Sequence, residues 1–251
     1  MEGNGSAAEA TLPLGSGLPL DLGLPPDGAA VRLETVSRPR EQSRGEEIAN
    51  TLSHAAGVVL AARGLGVLLA AAARHGVGSW QVGVGVFGAA MVLVYLSSTL
   101  YHVLPRGRLK HHCKTIDYAV IYVMIAATYT PFALGALRAS WGPILLVGQW
   151  GIAAGGVGLS VLNGRWDRRS LRAIAVGSYL AMGWAAALLF RPMLQHVGPV
   201  GLLWLAAGGI AFTIGVVFFN AHRVRYNHLI WHFFVMAGSA CHFVAVLKYS
   251  A

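Results

Sequence analysis

The sequence predicts an all-α integral membrane protein, built as a bundle of seven transmembrane helices. Hydrophobic residues make up 55% of the 251 residues and charged residues only 12%, whereas an ordinary soluble domain carries about 25% charged residues. The apolar residues also fall into long blocks that are separated by short basic clusters. This is the pattern of a chain that crosses a bilayer several times.

Seven blocks are long enough to cross the hydrocarbon core, which takes roughly 20 apolar residues. The second is strongly apolar despite its glycines, and the third to seventh are clear candidates. The first is the weakest, because a charge such as Arg63 near its centre costs about 2.5 kcal/mol or more. Either Arg63 has a partner or this span is shifted along the sequence. The predicted spans are 50–73, 81–101, 116–137, 141–162, 171–190, 199–219 and 229–247.

The distribution of Lys and Arg predicts the orientation of the bundle. Fourteen of these residues fall in the N-terminal tail and in the second, fourth and sixth connections, and four fall on the opposite side. Cytoplasmic segments carry the excess of positive charge, so we expect a cytoplasmic N-terminus and a C-terminus outside. The net charge of +9 is explained by this topology, and no nucleic-acid partner is expected.

Residues 1–44 differ in composition from the rest of the chain. They are rich in Gly, Pro and Leu and show no helical period. They also lack the basic start and continuous apolar centre of a signal peptide. We therefore expect a disordered N-terminal extension over 1–44, followed by one seven-span domain over 45–251.

Polar residues from four spans meet at one end of the predicted bundle. Span 2 ends there with Ser98 and His102, and span 3 begins there with Asp117. Span 7 begins there with His228 and His232, whose spacing of four residues places both rings on one helix face. Span 1 begins at the same end with a further polar face, formed by Glu47, Asn50 and His54.

Three imidazoles at one membrane depth favour a zinc site, because imidazole nitrogen suits zinc. Three histidines leave a fourth position open, as in catalytic rather than structural sites. Asp117 is the expected general base, and Ser98 would orient the water or a substrate carbonyl. The expected ligands are His102, His228 and His232. The expected supporting residues behind them are Glu47, Asn50 and His54.

Simpler interpretations stand beside these. Histidines four residues apart also arise by chance, Asp117 could pair with a loop lysine, and Ser98 could be a small packing residue. His242 lies fourteen residues from His228, about 21 Å along a helix, so we expect it to be a packing or second-site residue. The remaining histidines outside these motifs are expected at the membrane interfaces: His75, His111, His112, His196 and His222.

Taken in order, the three polar motifs resemble those of the hemolysin III family, bacterial relatives of the progestin and adipoQ receptors. The resemblance covers about residues 45–250, and the N-terminal extension and Arg63 depart from it. It implies a zinc ion held by the three histidines, with Asp117 reached through a water. The wider superfamily includes alkaline ceramidases and adiponectin receptors with ceramide-hydrolysing activity. The motifs are Glu47-x-x-Asn50-x-x-x-His54, Ser98-x-x-x-His102 followed by Asp117, and His228-x-x-x-His232.

These patterns favour a zinc-dependent hydrolase of a lipid amide or ester, with membrane lipid as its partner. The alternative is a non-enzymatic sensor, signalling or permeability protein, in which zinc only joins helices 2 and 7. Transport is disfavoured because no continuous polar track crosses the predicted bundle. Arginine exceeds lysine by 16 to 3 and Ala and Gly are abundant, so we expect a bacterial source and the bacterial cytoplasmic membrane. The sequence predicts neither the lipid nor the oligomeric state.

Overall fold

A computed structural model describes residues 41–166 and 169–251 of the chain. Most of the predicted extension over 1–44 therefore lies outside the described residues. Within the described part, seven helical segments are long and apolar enough to cross a membrane, and the chain forms no strand there. The predicted all-α, seven-span architecture is confirmed. Four arginines that were counted for the orientation also lie outside the described residues: Arg32, Arg38, Arg40 and Arg168.

The first four spans are single helices, and two of them begin well before the predicted spans. The first begins at Arg44 because Ser43 and Glu46 form a capping box that satisfies free N–H groups of the first turn. It ends at Gly76, whose φ of 72° is the left-handed conformation that commonly closes a helix. The four helices are α1 (Arg44–His75), α2 (Gly78–Val103), α3 (Arg108–Leu134) and α4 (Gly142–Trp166).

The fifth span is interrupted near its middle by a short 3₁₀ helix. Pro192 explains the interruption, because proline has no N–H to donate and its ring clashes with the carbonyl four residues earlier. The span consists of α5 (Arg169–Gly183), the 3₁₀ helix (Trp184–Leu189) and α6 (Phe190–His196).

A tyrosine from α3 compensates for this interruption. The Tyr129 hydroxyl lies 2.9 Å from the carbonyl oxygen of Met182 and 2.7 Å from that of Gly183, and it accepts a hydrogen bond from the Ala186 N–H at 3.1 Å. A break in a membrane helix frees backbone groups that lipid cannot satisfy. The buried Tyr129 supplies their partner.

The last two spans are α7 (Gly198–Asn220) and α8 (Asn227–Tyr249). Consecutive spans run antiparallel, and α1 packs against both α2 and α8. Consequently α1, α3 and α8 begin at the same end of the bundle, where α2 finishes. We call this the histidine end, because the three predicted metal ligands lie there.

Arg63 lies near mid-depth on an exposed face of α1. Its neighbour Gly64 faces Met91, close to the middle of α2. The earlier start of α1 therefore does not move Arg63 out of the bilayer, and no ion pair joins it to a described residue. Its long stem lets the guanidinium snorkel along the lipid-facing surface.

Glycines allow the helices to approach closely at particular positions. A Cβ added at Gly156 would lie 2.2 Å from the ring of Tyr122, a fully buried side chain, whereas one added at Gly155 would meet nothing within 4 Å. The adjoining glycines of α4 therefore differ in role. Gly156 lets α4 rest on α3, and Gly155 faces outward.

We predict that Gly156→Ala destabilises the bundle and that Gly155→Ala does not. Overpacking a fixed interface costs about 1–3 kcal/mol, and a surface substitution changes the free energy of unfolding by about 0.5 kcal/mol or less. Thermal unfolding of both variants in one detergent measures the difference. Equal midpoints would contradict the close contact between α4 and α3.

Candidate metal centre

The start of α8, which carries two histidines of the predicted site, is fixed by hydrogen bonds to its neighbours. The Tyr226 N–H donates to Glu46 Oε1 at 2.8 Å, which ties α8 to α1. The side chain of Asn227 donates to the Phe218 carbonyl at 3.2 Å, which ties α8 to α7. Position and direction of the first turn of α8 are therefore set by two other helices.

His102 from α2 and His228 and His232 from α8 form one group. Their ring centroids lie 4.9, 5.2 and 4.6 Å apart. One nitrogen of each ring lies within 4.8 Å of the other two. Nitrogens bound to one zinc ion at about 2.1 Å lie at most about 4.2 Å apart, so small side-chain rotations suffice. The group could hold a metal ion.

The environment of His102 leaves one of its nitrogens available for a metal. Its Nδ1 lies 2.7 Å from Glu47 Oε2, and a carboxylate oxygen accepts, so Nδ1 carries the proton. Nε2 then carries the lone pair, and it is buried without a hydrogen-bond partner among the described residues. An orphaned imidazole nitrogen beside two further histidines fits a metal ligand, and a carboxylate behind the ring is the usual support.

His232 is held in the same tautomer by a serine. Its Nδ1 lies 2.9 Å from Ser53 Oγ. The Ser53 hydroxyl already donates to the Asn50 carbonyl at 2.9 Å, so the serine oxygen accepts from Nδ1–H. Nε2 of the fully buried His232 therefore carries the lone pair as well.

Lys110 links the support of His102 to the end of α2. Its Nζ lies 3.0 Å from Glu47 Oε1 and donates to the carbonyl oxygens of Tyr101 and Leu104 at 3.0 and 3.2 Å. A cation at a helix C-terminus satisfies free carbonyls there. The Glu47 carboxylate is thus held between a lysine and an imidazole.

The other two predicted supporting residues lie beside the group in different ways. The ring of His54 stacks on that of His232, with 3.4 Å between centroids and 11° between planes. Both ring nitrogens of His54 are buried without a hydrogen-bond partner among the described residues. The Asn50 side chain donates to Gln42 Oε1 at 2.7 Å. Asn50 therefore supports the histidine group through its backbone carbonyl, which accepts the hydrogen bond of the Ser53 hydroxyl that contacts His232.

Asp117 is buried on α3, and its contact with Ser97 places it further from the histidine end of the bundle than His102. Its Oδ1 accepts a hydrogen bond of 3.3 Å from Ser97 Oγ. Ser97 lies five residues before His102 along α2, which is about 7.5 Å along the helix. Ser98, the predicted serine, is also buried, but the hydroxyl that contacts Asp117 is that of Ser97.

A cavity of about 530 Å³ begins about one helical turn beyond these residues. Its lining at the histidine end includes Val94, Ile121 and Val235, which lie three or four residues from Ser97, Asp117 and His232 respectively. The lining is almost entirely apolar, and the volume is typical of a pocket for a small molecule. It reaches the lipid-facing surface between the 3₁₀ helix, α6 and α7, where three lining side chains are exposed: Trp184, Phe190 and Leu203.

Several residues of the site are absent from the sequence-based set. Ser53 and Ser97 each adjoin a residue of that set, and Glu46 adjoins Glu47. Their side-chain partners depend on how each helix is rotated about its axis. The signal that could have identified Lys110 is its position, because a lysine just after the end of α2 can reach back to the last carbonyls.

Comparisons with known proteins agree on one family for this chain. A family model described as haemolysin-III related matches residues 42–243. A hemolysin-3 homolog of Bacillus subtilis (strain 168) is 38% identical over 205 residues, covering 81% of this chain and 94% of that protein. Hemolysin-3 of Bacillus cereus is 37% identical over 204 residues, covering 81% and 91%. The human monocyte to macrophage differentiation factor is 31% identical over 216 residues, covering 81% and 84%.

We predict that Glu47→Gln weakens metal binding without preventing it. The amide can still accept a hydrogen bond from His102, but it loses the negative charge that strengthens the ligand. Loss of such support typically lowers metal affinity about 10–100-fold. Competition with a zinc-chelating dye measures the change.

Glu41→Gln is the matched control, because Glu41 contacts Arg106 at 2.8 Å on the exposed surface. Its zinc affinity should equal that of the unaltered protein. A Glu47→Gln variant that binds zinc equally well would contradict the assigned role of Glu47.

Proposed function

This chain belongs to the haemolysin-III-related family, and from that premise we propose that it is a zinc-dependent hydrolase of lipid amides or esters. It is an integral membrane protein, and the group formed by His102, His228 and His232 could hold a metal ion. The observation that carries the proposal is the order of parts along the bundle. The histidines come first, then the buried Asp117, then an apolar cavity that opens to lipid.

Zinc fits the three histidines because the structure leaves nitrogens free for it. Two of the rings present an Nε2 lone pair, and neutral imidazole nitrogen is a preferred zinc ligand. When bound, zinc supplies a Lewis acid that polarises a carbonyl and makes water reactive near neutral pH. Three protein ligands leave a position for substrate, as catalytic sites do.

Asp117 is positioned to move a proton during hydrolysis. Ser97 occupies Oδ1, which orients the carboxyl group and leaves its other oxygen for the reactants. In amide hydrolysis a water oxygen forms a bond to the carbonyl carbon, and the carbon–nitrogen bond breaks. Asp117 takes the proton from the attacking water and passes it to the leaving nitrogen, which gives a fatty acid and an amine.

The cavity provides the place for the hydrocarbon part of such a substrate. Its apolar walls replace the lipid surroundings of an acyl chain, and its exposed residues at the 3₁₀ helix, α6 and α7 give entry from the bilayer. A chain bound there brings its carbonyl towards Asp117 and the histidines. The histidine end is also close to the depth at which bilayer lipids carry their ester and amide links.

A second candidate function is a non-enzymatic membrane protein in which zinc is structural. The supporting observation is that the three histidines join α2 to α8, so a metal ion there would clamp two helices. Two relatives carry the name hemolysin-3 or its homolog, which refers to lysis rather than to lipid chemistry. The two functions differ in their dependence on Asp117.

We predict that Asp117→Asn abolishes hydrolysis while zinc stays bound. Asparagine keeps the shape and the contact with Ser97 but cannot take a proton, and general acid–base groups contribute about 10²–10⁴-fold to rate. Turnover of ceramides and other lipid amides by purified protein and zinc content per chain are the two measurements. His232→Ala should lose both zinc and turnover.

The structural-zinc function predicts a different result. Wild-type protein with zinc bound would then turn over no lipid in a broad panel. Alternatively, whatever lipid turnover the wild-type protein shows would be unchanged in Asp117→Asn, while His232→Ala would lower the thermal unfolding midpoint. Either result would overturn the enzyme proposal.

We also propose that the histidine end faces the cytoplasm and that the membrane is the bacterial cytoplasmic membrane. Described basic residues concentrate at this end, including Arg106 and Lys114 in the α2–α3 region and Arg223 and Arg225 before α8. Alkaline phosphatase fused after Ala251 should be active in a bacterial host, because it folds only outside the cytoplasm. A fluorescent protein of the kind that folds only in the cytoplasm, fused at the same site, should stay dark. Fluorescence of that fusion would reverse the proposed orientation.

A further inference from the structure

His242 is a polar side chain on the wall of a largely apolar cavity. It lies on α8, is only partly buried, and lines the cavity. Two threonine hydroxyls on the same wall are used within the protein: Thr128 donates to the Met124 carbonyl at 2.9 Å, and Thr213 donates to the Gly209 carbonyl at 2.7 Å. His242, like Ser239 about one turn earlier on α8, has hydrogen-bonding capacity to spare.

The tautomer of His242 follows from its one hydrogen bond. Nε2 lies 3.2 Å from the carbonyl oxygen of Leu205 on α7. A carbonyl only accepts, so Nε2 carries the proton, and the neutral ring then presents Nδ1 as an acceptor. No hydrogen bond from a described residue reaches Nδ1. An acceptor in an apolar cavity lacks the water that would normally satisfy it.

The ring is also held firmly in place. Gly208 lets it lie directly on α7, since a Cβ there would come within 2.3 Å of His242 Cδ2. The ring of Phe212 packs against it, with 5.4 Å between centroids. The acceptor therefore has a fixed position on the wall, as a residue that selects among ligands must.

His242 lies ten residues beyond His232 on α8, which is about 15 Å along the helix. A lipid whose carbonyl lies at the histidines would extend its chain past Asp117 and along the cavity to this ring. With C–C bonds of about 1.5 Å in a zigzag, roughly twelve carbons cover the distance. A group bound by His242 therefore lies far along the chain.

We propose that His242 is a specificity-determining residue that accepts a hydrogen bond from a hydroxyl group in the distal part of the bound acyl chain. The favoured ligands are accordingly amides or esters of hydroxylated fatty acids. This inference rests on the proposed function for the nature of the ligand, because that function places an acyl chain in the cavity. The recognition itself needs no metal and no hydrolysis.

The test is a binding measurement with free fatty acids, which gives an answer whether or not the protein is an enzyme. Purified protein is titrated with octadecanoic, 2-hydroxyoctadecanoic and 12-hydroxyoctadecanoic acid in competition with a fluorescent fatty acid. Because one hydrogen bond contributes about 0.5–1.5 kcal/mol, we expect 12-hydroxyoctadecanoic acid to bind about 2- to 10-fold more tightly than the other two.

Three variants assign the preference to the ring. His242→Leu should bind the three acids equally, and His242→Gln, which keeps an acceptor, should retain part of the preference. His196→Leu makes the same chemical change at an exposed histidine outside the cavity and should behave as the unaltered protein. The proposal is overturned if the unaltered protein shows no preference, or if the preference survives in His242→Leu. Absence of hydrolysis with the preference intact would contradict only the proposed function.

Discussion

The hydrogen bond between Glu47 and His102 is the contact on which the histidine end depends. It joins α1 to α2 at 2.7 Å and fixes the proton on Nδ1, so that Nε2 faces the other two histidines. Lys110 holds the same carboxylate from the end of α2. Without this bond the first ring of the group would be free to rotate, and the pair of rings on α8 would have no fixed partner.

Much of this arrangement follows from simple regularities in the sequence. The lengths of the apolar blocks fix the number of spans, and alternation of direction places the start of α8 beside the end of α2. The spacing of four residues then puts His228 and His232 on one helix face. These rules predicted the members of the histidine group. They suffice because each spanning helix must end near a membrane surface, whereas a helix of a soluble domain has no such limit on where it ends.

Other features depend on details that these rules do not reach. That Ser97 rather than Ser98 contacts Asp117 is decided by the rotation of α2 about its axis. The early start of α1 depends on the capping box at Ser43, and hydropathy does not register such a cap. Nδ1 of His242 is an acceptor only because Nε2 carries the proton, and this tautomer follows from the position of the Leu205 carbonyl. Each of these is a contact between segments distant in sequence or a backbone detail, not a property of composition.

The interrupted fifth span has a consequence for how the cavity wall is maintained. A regular helix in lipid satisfies its own backbone, whereas this wall relies on one phenol, that of Tyr129, for three backbone groups. The lipid-facing opening of the cavity, at Trp184, Phe190 and Leu203, therefore lies beside a stretch of backbone that one side chain from another helix holds. Substitutions around Tyr129 could therefore change the width of this opening without altering His102, His228 and His232, which lie at the other end of the cavity.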